Sequence, residues 1–186
     1  MKEIICAVGI LLAAFTVFAI DSDISDKDFI SLAHSSIKAD SITFCTFEDI
    51  RFAQYNNEEG NSVFFIISSD FSKPVGYEGF TNVGISLDNA GKVLSVKILS
   101  SEDTPSFVKR VKRKWFLNQF IGYSENKNIT MITGATKTCK AVKISIEESV
   151  EKFVPVIEFI NQENDFNKKK ISLTKKSKST IKIIAI

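Results

Sequence analysis

A run of hydroxyl-bearing residues is the part of the sequence best suited to hold a phosphate. It contains Thr133, Gly134, Ala135, Thr136, Lys137 and Thr138. An amphipathic pattern follows immediately, so we expect the run at the start of a helix, where free backbone N–H groups and the helix dipole favour anions. Gly134 and Ala135 are small enough for an incoming group to approach the backbone. A simpler interpretation is that Thr136 or Thr138 only caps the helix.

Other chemical motifs are poorly represented. The chain has one histidine, no GxxxxGK[ST] or GxGxxG loop, and no nucleophile elbow, so triad hydrolysis and nucleotide-loop chemistry are not indicated. The cysteines beyond the first segment, Cys45 and Cys139, could pair but are more typical of small core residues, and no metal-ligand spacing is present. Nucleic-acid binding is not favoured, because the body is acidic and the basic tail lacks interleaved aromatics.

The elements that must position this run form an α+β pattern. Helices are predicted over 25–38 and 107–120, and a third begins near Thr138 with apolar residues at helical spacing, until Pro155 kinks or ends it. Strands are predicted within 40–55 and over 62–69, 80–88 and 92–101, separated by turn-forming residues. We therefore expect an antiparallel sheet flanked by helices.

Both ends of the chain differ in composition from the middle. Residues 4–20 are uncharged and apolar, which predicts that 1–20 is a signal peptide, cleaved after Ala19, or a transmembrane anchor. An extracytoplasmic domain would then cover 21–160. Residues 161–186 form a predicted basic tail, loosely attached or lying on a membrane surface. Seven lysines and no acid follow Phe166. Because the whole chain has a net charge of +2, residues 1–166 have a net charge of −5.

Several motifs in order resemble the FMN-binding domain family, which includes the G subunit of the Rnf complex and the C subunit of the sodium-pumping NADH:quinone reductase. Thr133-Gly134-Ala135-Thr136-x-Thr138 resembles its [S/T]-G-A-T-x-T motif, and Gly76-Tyr77-Glu78-Gly79 its G-Y-x-G. The stretch 83–107 is similar to a strand–turn–strand that leads into E-T-P-G. Phe116, Gln119, Phe120 and Gly122 fit F-x-x-Q-F-x-G. The resemblance extends from about residue 62 to 153.

This resemblance implies that a flavin transferase esterifies FMN through its phosphate to Thr136. It places Thr133, Gly134, Ala135 and Thr138 around the phosphate. It places Tyr77, Gly79, Thr104 and Pro105 beside the isoalloxazine, with Thr104 as a hydrogen-bond donor. The implied function is electron transfer by an exported, membrane-tethered flavoprotein. Its partners would be membrane redox-complex subunits, or other electron donors and acceptors.

Two residues depart from the family pattern. Thr130 stands where the family has an aspartate, six residues before the acceptor, and Ser106 replaces the glycine after Thr-Pro. Two alternatives therefore remain open. One is an FMN-binding fold without covalent flavin, acting in binding or assembly, and the other is an exported flavin-dependent reductase.

Overall fold

The computed structural model describes residues 26–39, 41–57, 61–123 and 128–181. Its elements in chain order are α1 (Asp26–Ile37), β1 (Thr43–Phe47), β2 (Ile50–Asn56), β3 (Ser62–Ile67), a 3-10 turn (Ser68–Asp70), β4 (Thr81–Leu87), β5 (Val93–Ser101), α2 (Pro105–Val111), α3 (Lys114–Leu117), a second 3-10 turn (Asn118–Phe120) and α4 (Thr136–Ile181). The predicted export segment, residues 1–20, lies outside the described residues.

The sheet is a five-stranded antiparallel meander in the order β1-β2-β3-β4-β5. Each strand pairs with the next strand in the chain, as expected when short turns connect alternating segments. The predicted α+β architecture is thus confirmed for the described part of the chain.

Both faces of the sheet are buried, and β3 shows why. Phe64 and Ile66 pack in the core beneath α4, whereas Phe65 and Ile67 pack with Phe29 of α1 on the other face. Successive side chains of a strand point to opposite faces, so a strand covered on both sides must be apolar throughout. Helix α1 therefore covers one face of the sheet, and α4 covers the other.

The prediction of a single helix over 107–120 is wrong, because the structure has two short helices there. Helix α2 ends at Val111 with Lys112 as its C-cap, Arg113 is extended (φ −65°, ψ 132°), and α3 begins at Lys114. In one continuous helix Phe116 would lie about 140° around the axis from Val111, since each residue turns about 100°. The break lets Val111 and Phe116 enter the same core, where both are fully buried.

Pro155 does not end α4, which continues to Ile181 through most of the segment predicted to be a loose tail. Proline lacks an N–H, so the carbonyl of Glu151 loses its helical partner. Both residues are exposed, so water can satisfy that carbonyl. Phe153, Val156 and Ile157 are buried on either side of the proline and hold the helix against the sheet. Among the described residues, no helix combines the length and apolar character needed to cross a membrane.

Candidate functional site

The Thr133–Thr138 loop leads directly into α4. Gly134 has φ +77°, a conformation that favours glycine. The N–H of Ala135 donates to the carbonyl of Ile132 at 3.0 Å, and the first helical bond runs from Cys139 N–H to Ala135 at 2.9 Å. Thr136, the first residue of α4, is exposed. Its hydroxyl is thus accessible at a helix start whose backbone N–H groups lack intrahelical partners.

Asp103 connects this loop to two distant segments. Its carboxylate accepts the hydroxyl of Thr138 at 2.6 Å, the N–H of Glu78 at 2.8 Å and the N–H of Thr104 at 2.7 Å. Both carboxylate oxygens also lie 3.1 Å from the N–H of Tyr77. Because one side chain bonds all three segments, Asp103 fixes their relative positions.

Asp103 is only 4% exposed and yet is held in its charged form. Burial by itself would raise the pKa of this carboxyl, but hydrogen bonds from Thr138, Glu78, Thr104 and Tyr77 outweigh burial and hold the pKa below its usual value. The charge is therefore balanced by directed donors.

The two glycines of the Gly76–Gly79 loop allow this close packing. A Cβ at Gly76 would lie 2.0 Å from Asp103 Oδ2, and one at Gly79 would lie 2.6 Å from the carbonyl oxygen of Glu102. Neither position has space for a side chain. The G-Y-x-G spacing is thus required by the contact between this loop and the Glu102–Asp103 segment.

Two cations border the Thr133–Thr138 loop. Arg110 of α2 donates from Nη1 to the carbonyl of Thr133 at 3.0 Å, and a Cβ at Gly134 would lie 2.5 Å from that nitrogen. Lys137 Nζ lies 5.5 Å from the ring centroid of Tyr77, a cation–π contact. Positive charge at a helix start that has no acidic residue in its first turn suits a phosphate.

Thr104 and Pro105 lie at the start of α2, next to Asp103. Pro105 is exposed, while Thr104 Oγ1 is buried and has no hydrogen-bond partner within the described part of the protein. A buried hydroxyl without a partner typically costs about 1–3 kcal/mol. Rotation of its side chain would be needed for the hydroxyl to meet a ligand at the surface.

Gln119 holds the segment that precedes the Thr133–Thr138 loop. Its side chain donates to the carbonyl of Thr130 at 3.2 Å and accepts the N–H of Thr130 at 2.8 Å. Phe116 and Phe120, on either side of Gln119, are fully buried. The side chain of Thr130 itself is exposed, so its backbone position does not depend on the side chain.

The structure brings together the segments that the sequence singled out, and the predicted cofactor-binding roles of their residues stay predictions. Thr133, Gly134 and Thr136 are exposed, whereas Ala135, Thr138 and Gly79 are buried. The Thr138 hydroxyl is committed to Asp103, so it orients the loop instead of facing a ligand. Two concavities are found among the described residues, one beside α1 and one beside Tyr123 and Glu147, and neither is lined by a residue of the Thr133–Thr138 loop.

The sequence did not reveal the roles of two residues of the site. The resemblance to the FMN-binding family places the segment 103–105 beside the isoalloxazine, but it gives Asp103 no role in holding the segments together. Arg110 stands in a run of basic residues, a pattern that by itself is typical of a solvated helix face. Its position six residues after Thr104 was no signal without knowledge that α2 packs against α4.

Comparison with known proteins finds a family that matches the part of the chain that forms this surface. Residues 76–151 match the family described as FMN-binding domain, and every segment around Asp103 falls within that range. This match confirms the resemblance to the FMN-binding domain family that the motifs predicted for this part of the chain.

The chain is also similar to one curated protein of known name. The chain is 31% identical over 108 residues to the G subunit of the proton-translocating ferredoxin:NAD(+) oxidoreductase complex of Clostridium ljungdahlii. The alignment covers 52% of this chain and 57% of the relative. The chain therefore spans a little over half the length of the curated relative that it matches.

Proposed function

We propose that this chain is an electron-transfer flavoprotein that carries FMN esterified to Thr136. It would be exported and tethered to a membrane, as a subunit of a redox complex like that of its curated relative or as a separate carrier. A flavin transferase would load it. The family match supports FMN, and the relative's name supports redox-complex partners.

One observation carries the proposal. The exposed Thr136 begins a helix directly after the left-handed Gly134, and Asp103 ties that helix start to the Gly76–Gly79 loop and to Thr104. A capping threonine alone would not require a buried carboxylate that joins three segments. The arrangement presents the Thr136 hydroxyl to solvent at the helix start, beside cations and backbone donors.

The residues around Thr136 can be given separate roles. The Thr136 oxygen would form the new phosphorus–oxygen bond and lose its proton, while a nucleotide leaves from an activated flavin donor. The N–H groups at the start of α4, with Arg110 and Lys137, would balance the phosphate charge. Thr138 and Asp103 would hold the loop in place. When bound, the flavin supplies the electron-carrying chemistry.

Covalent loading can be tested by co-expression with a flavin transferase. The denatured wild-type band should fluoresce under ultraviolet light and gain the mass of FMN less one water. Thr136→Ala should remove both signals. Thr43→Ala is a control, because it removes an exposed threonine of β1, outside this loop, and should keep the label. A Thr136→Ala variant that stays fluorescent would contradict the assignment of the acceptor.

The structure also defines a test of the second candidate, an FMN-binding fold without covalent flavin. This candidate rests on Thr130, whose exposed side chain occupies the position of the family's aspartate. Gln119 clamps the backbone there, so Thr130→Asp should fold normally. A dark wild-type band together with a fluorescent Thr130→Asp band would favour this candidate. Asn128→Asp, a nearby exposed position, controls for added charge.

Export and tethering need a separate experiment, since residues 1–20 lie outside the described part. With a carboxy-terminal tag in intact bacterial cells, an external protease should digest the domain and leave cytoplasmic markers intact. Membrane fractionation should retain the tagged chain if the segment stays attached. Full protection from protease would contradict export.

A further inference from the structure

A set of positive charges lies on α2, on the link to α3, at the start of α3 and in the first turns of α4, and two of its members, Arg110 and Lys137, border the proposed flavin site. We call this set the basic collar; it consists of Lys109, Arg110, Lys112, Arg113, Lys114, Lys137 and Lys140. Arg110 joins α2 to the Thr133–Thr138 loop through its bond to the Thr133 carbonyl. All collar residues except the half-buried Arg110 are exposed.

The collar charges are not neutralised within the described part of the chain. No collar residue lies within ion-pair distance of an acid there, whereas Lys143, one turn beyond Lys140, pairs with Glu147 at 2.6 Å. The described residues from 104 to 146 contain no Asp or Glu. Glu102, an exposed acid seven residues before Lys109, lies against Gly79 on the Gly76–Gly79 side of the site.

Uncompensated like charges destabilise a fold through mutual repulsion. Except for the Arg110 bond to Thr133, no hydrogen bond by a collar side chain is found in the described structure. The collar is therefore not explained by the stability of this domain. Its position at the edge of the flavin site points to recognition.

On these grounds, and assuming the proposed flavin function, we infer that the basic collar docks an acidic protein that carries a one-electron centre. Aromatic side chains stand among the charges: Trp115 is 47% exposed and Tyr77 is 57% exposed. Tryptophan, tyrosine and arginine are the residues that most often dominate protein–protein interfaces. Electron-transfer encounters are small, transient and steered by complementary charge.

A membrane surface fits the collar less well. Helix α2 has seven residues and α3 has four, too short for an amphipathic helix that lies in the lipid interface. The exposed large side chains close to the collar include Tyr77, Trp115 and Ile121, but they lie on separate elements and do not form one apolar helix face. A protein partner needs only a small, charged contact beside Thr136.

The test measures electron transfer from the full FMN-loaded chain in neutral detergent to two probes of opposite charge. The reduced chain is mixed in a stopped-flow instrument with plant plastocyanin, which is acidic, or with mitochondrial cytochrome c, which is basic. Screening by salt should slow the plastocyanin reaction about tenfold between low and physiological salt, because opposite charges steer association. The cytochrome c reaction should not slow.

Charge reversal at two collar residues locates the effect. Lys112→Glu with Arg113→Glu alters exposed side chains that play no part in the flavin site, and should slow the plastocyanin reaction at low salt about fivefold or more. Lys27→Glu with Lys92→Glu changes net charge equally at exposed positions on α1 and in the β4–β5 turn. This control pair should change the rate less than about twofold.

Three results would overturn the inference. Equal salt dependence for plastocyanin and cytochrome c is one, and an equal loss in the control pair is another. The third concerns lipid. If charge reversal abolishes preferential binding to phosphatidylglycerol vesicles over phosphatidylcholine vesicles but leaves the plastocyanin rate unchanged, the collar serves a membrane.

Failure of the proposed function is distinguishable from failure of this inference. If the chain carries no FMN, the flavin assay shows it directly. Docking is then measured on the flavin-free chain by nuclear magnetic resonance with plastocyanin. Shifts confined to amides of α2, α3 and the start of α4, and lost in Lys112→Glu/Arg113→Glu, would support the docking surface. Shifts elsewhere, or none, would refute it.

Discussion

Replacement of Asp103 by asparagine tests whether one carboxylate holds the site together. Asparagine keeps one acceptor oxygen, which can still receive the N–H groups of Glu78 and Thr104. The new amide donates, so Thr138 must turn its hydroxyl to accept, and the N–H of Tyr77 loses one oxygen. A hydrogen bond to a charged group contributes about 1.5–3 kcal/mol, so we expect Asp103→Asn to lower the free energy of unfolding by about that amount at pH 7.

The pH dependence of the effect follows from the lowered pKa. A carboxyl whose folded pKa is depressed contributes stability that is present above the unfolded pKa, about 3.9, and is lost as pH falls through the folded pKa. The difference between wild type and Asp103→Asn should therefore be complete at pH 7 and shrink below about pH 4.

Urea unfolding of the full chain in neutral detergent, followed by Trp115 fluorescence, measures this difference. Glu102→Gln is the control, because Glu102 is the exposed neighbouring carboxylate. Equal stabilities of Asp103→Asn and wild type at pH 7 would refute the reasoning. So would a difference that is unchanged at pH 3.

Three further changes test other parts of the fold. Burial, opposed by the charges of Arg51 and Lys73, raises the pKa of Asp70 to about 6. After allowance for its partial exposure, Asp70→Asn should therefore stabilise the chain by about 1–2 kcal/mol above pH 6 and by less near pH 4. Urea titrations at both pH values measure the difference. Pro155→Ala restores a helical donor inside α4 and should raise the free energy of unfolding by about 1–2 kcal/mol, seen as a higher urea midpoint. Gly134→Ala must adopt a positive φ and displace Arg110, so it should cost about 1–2 kcal/mol by the same measurement.

The sheet could be predicted because its strands carry local signals. Val83, Ile85 and Leu87 alternate along β4 and are all buried, and the turn before β5 contains Gly91 with φ +74°. The break between α2 and α3 could not be predicted. No glycine or proline marks it, and it arises because Val111 and Phe116 must share one core.

The Thr133–Thr138 loop could be predicted from its residue types, but the contacts that hold it in place could not. Thr136 and Gly134 stand close together in a motif, whereas the partners of Asp103 lie up to 35 residues away in the chain. Contacts between residues so far apart in the chain cannot be predicted from the sequence without the fold. The same holds for Gln119, whose motif position was noted but whose clamp on Thr130 depends on tertiary packing.

The long-range bond between Asp103 and Thr138 has a consequence for the order of events in the life of the chain. The start of α4 is hydrogen-bonded to the segment that follows β5, so the Thr133–Thr138 loop is held in this shape only when the helix and the sheet are packed together. An emerging or unfolded chain contains the same six residues without that shape. A modifying enzyme that recognises the folded loop would act only on folded molecules. Attachment of the cofactor would then mark the molecules that have folded.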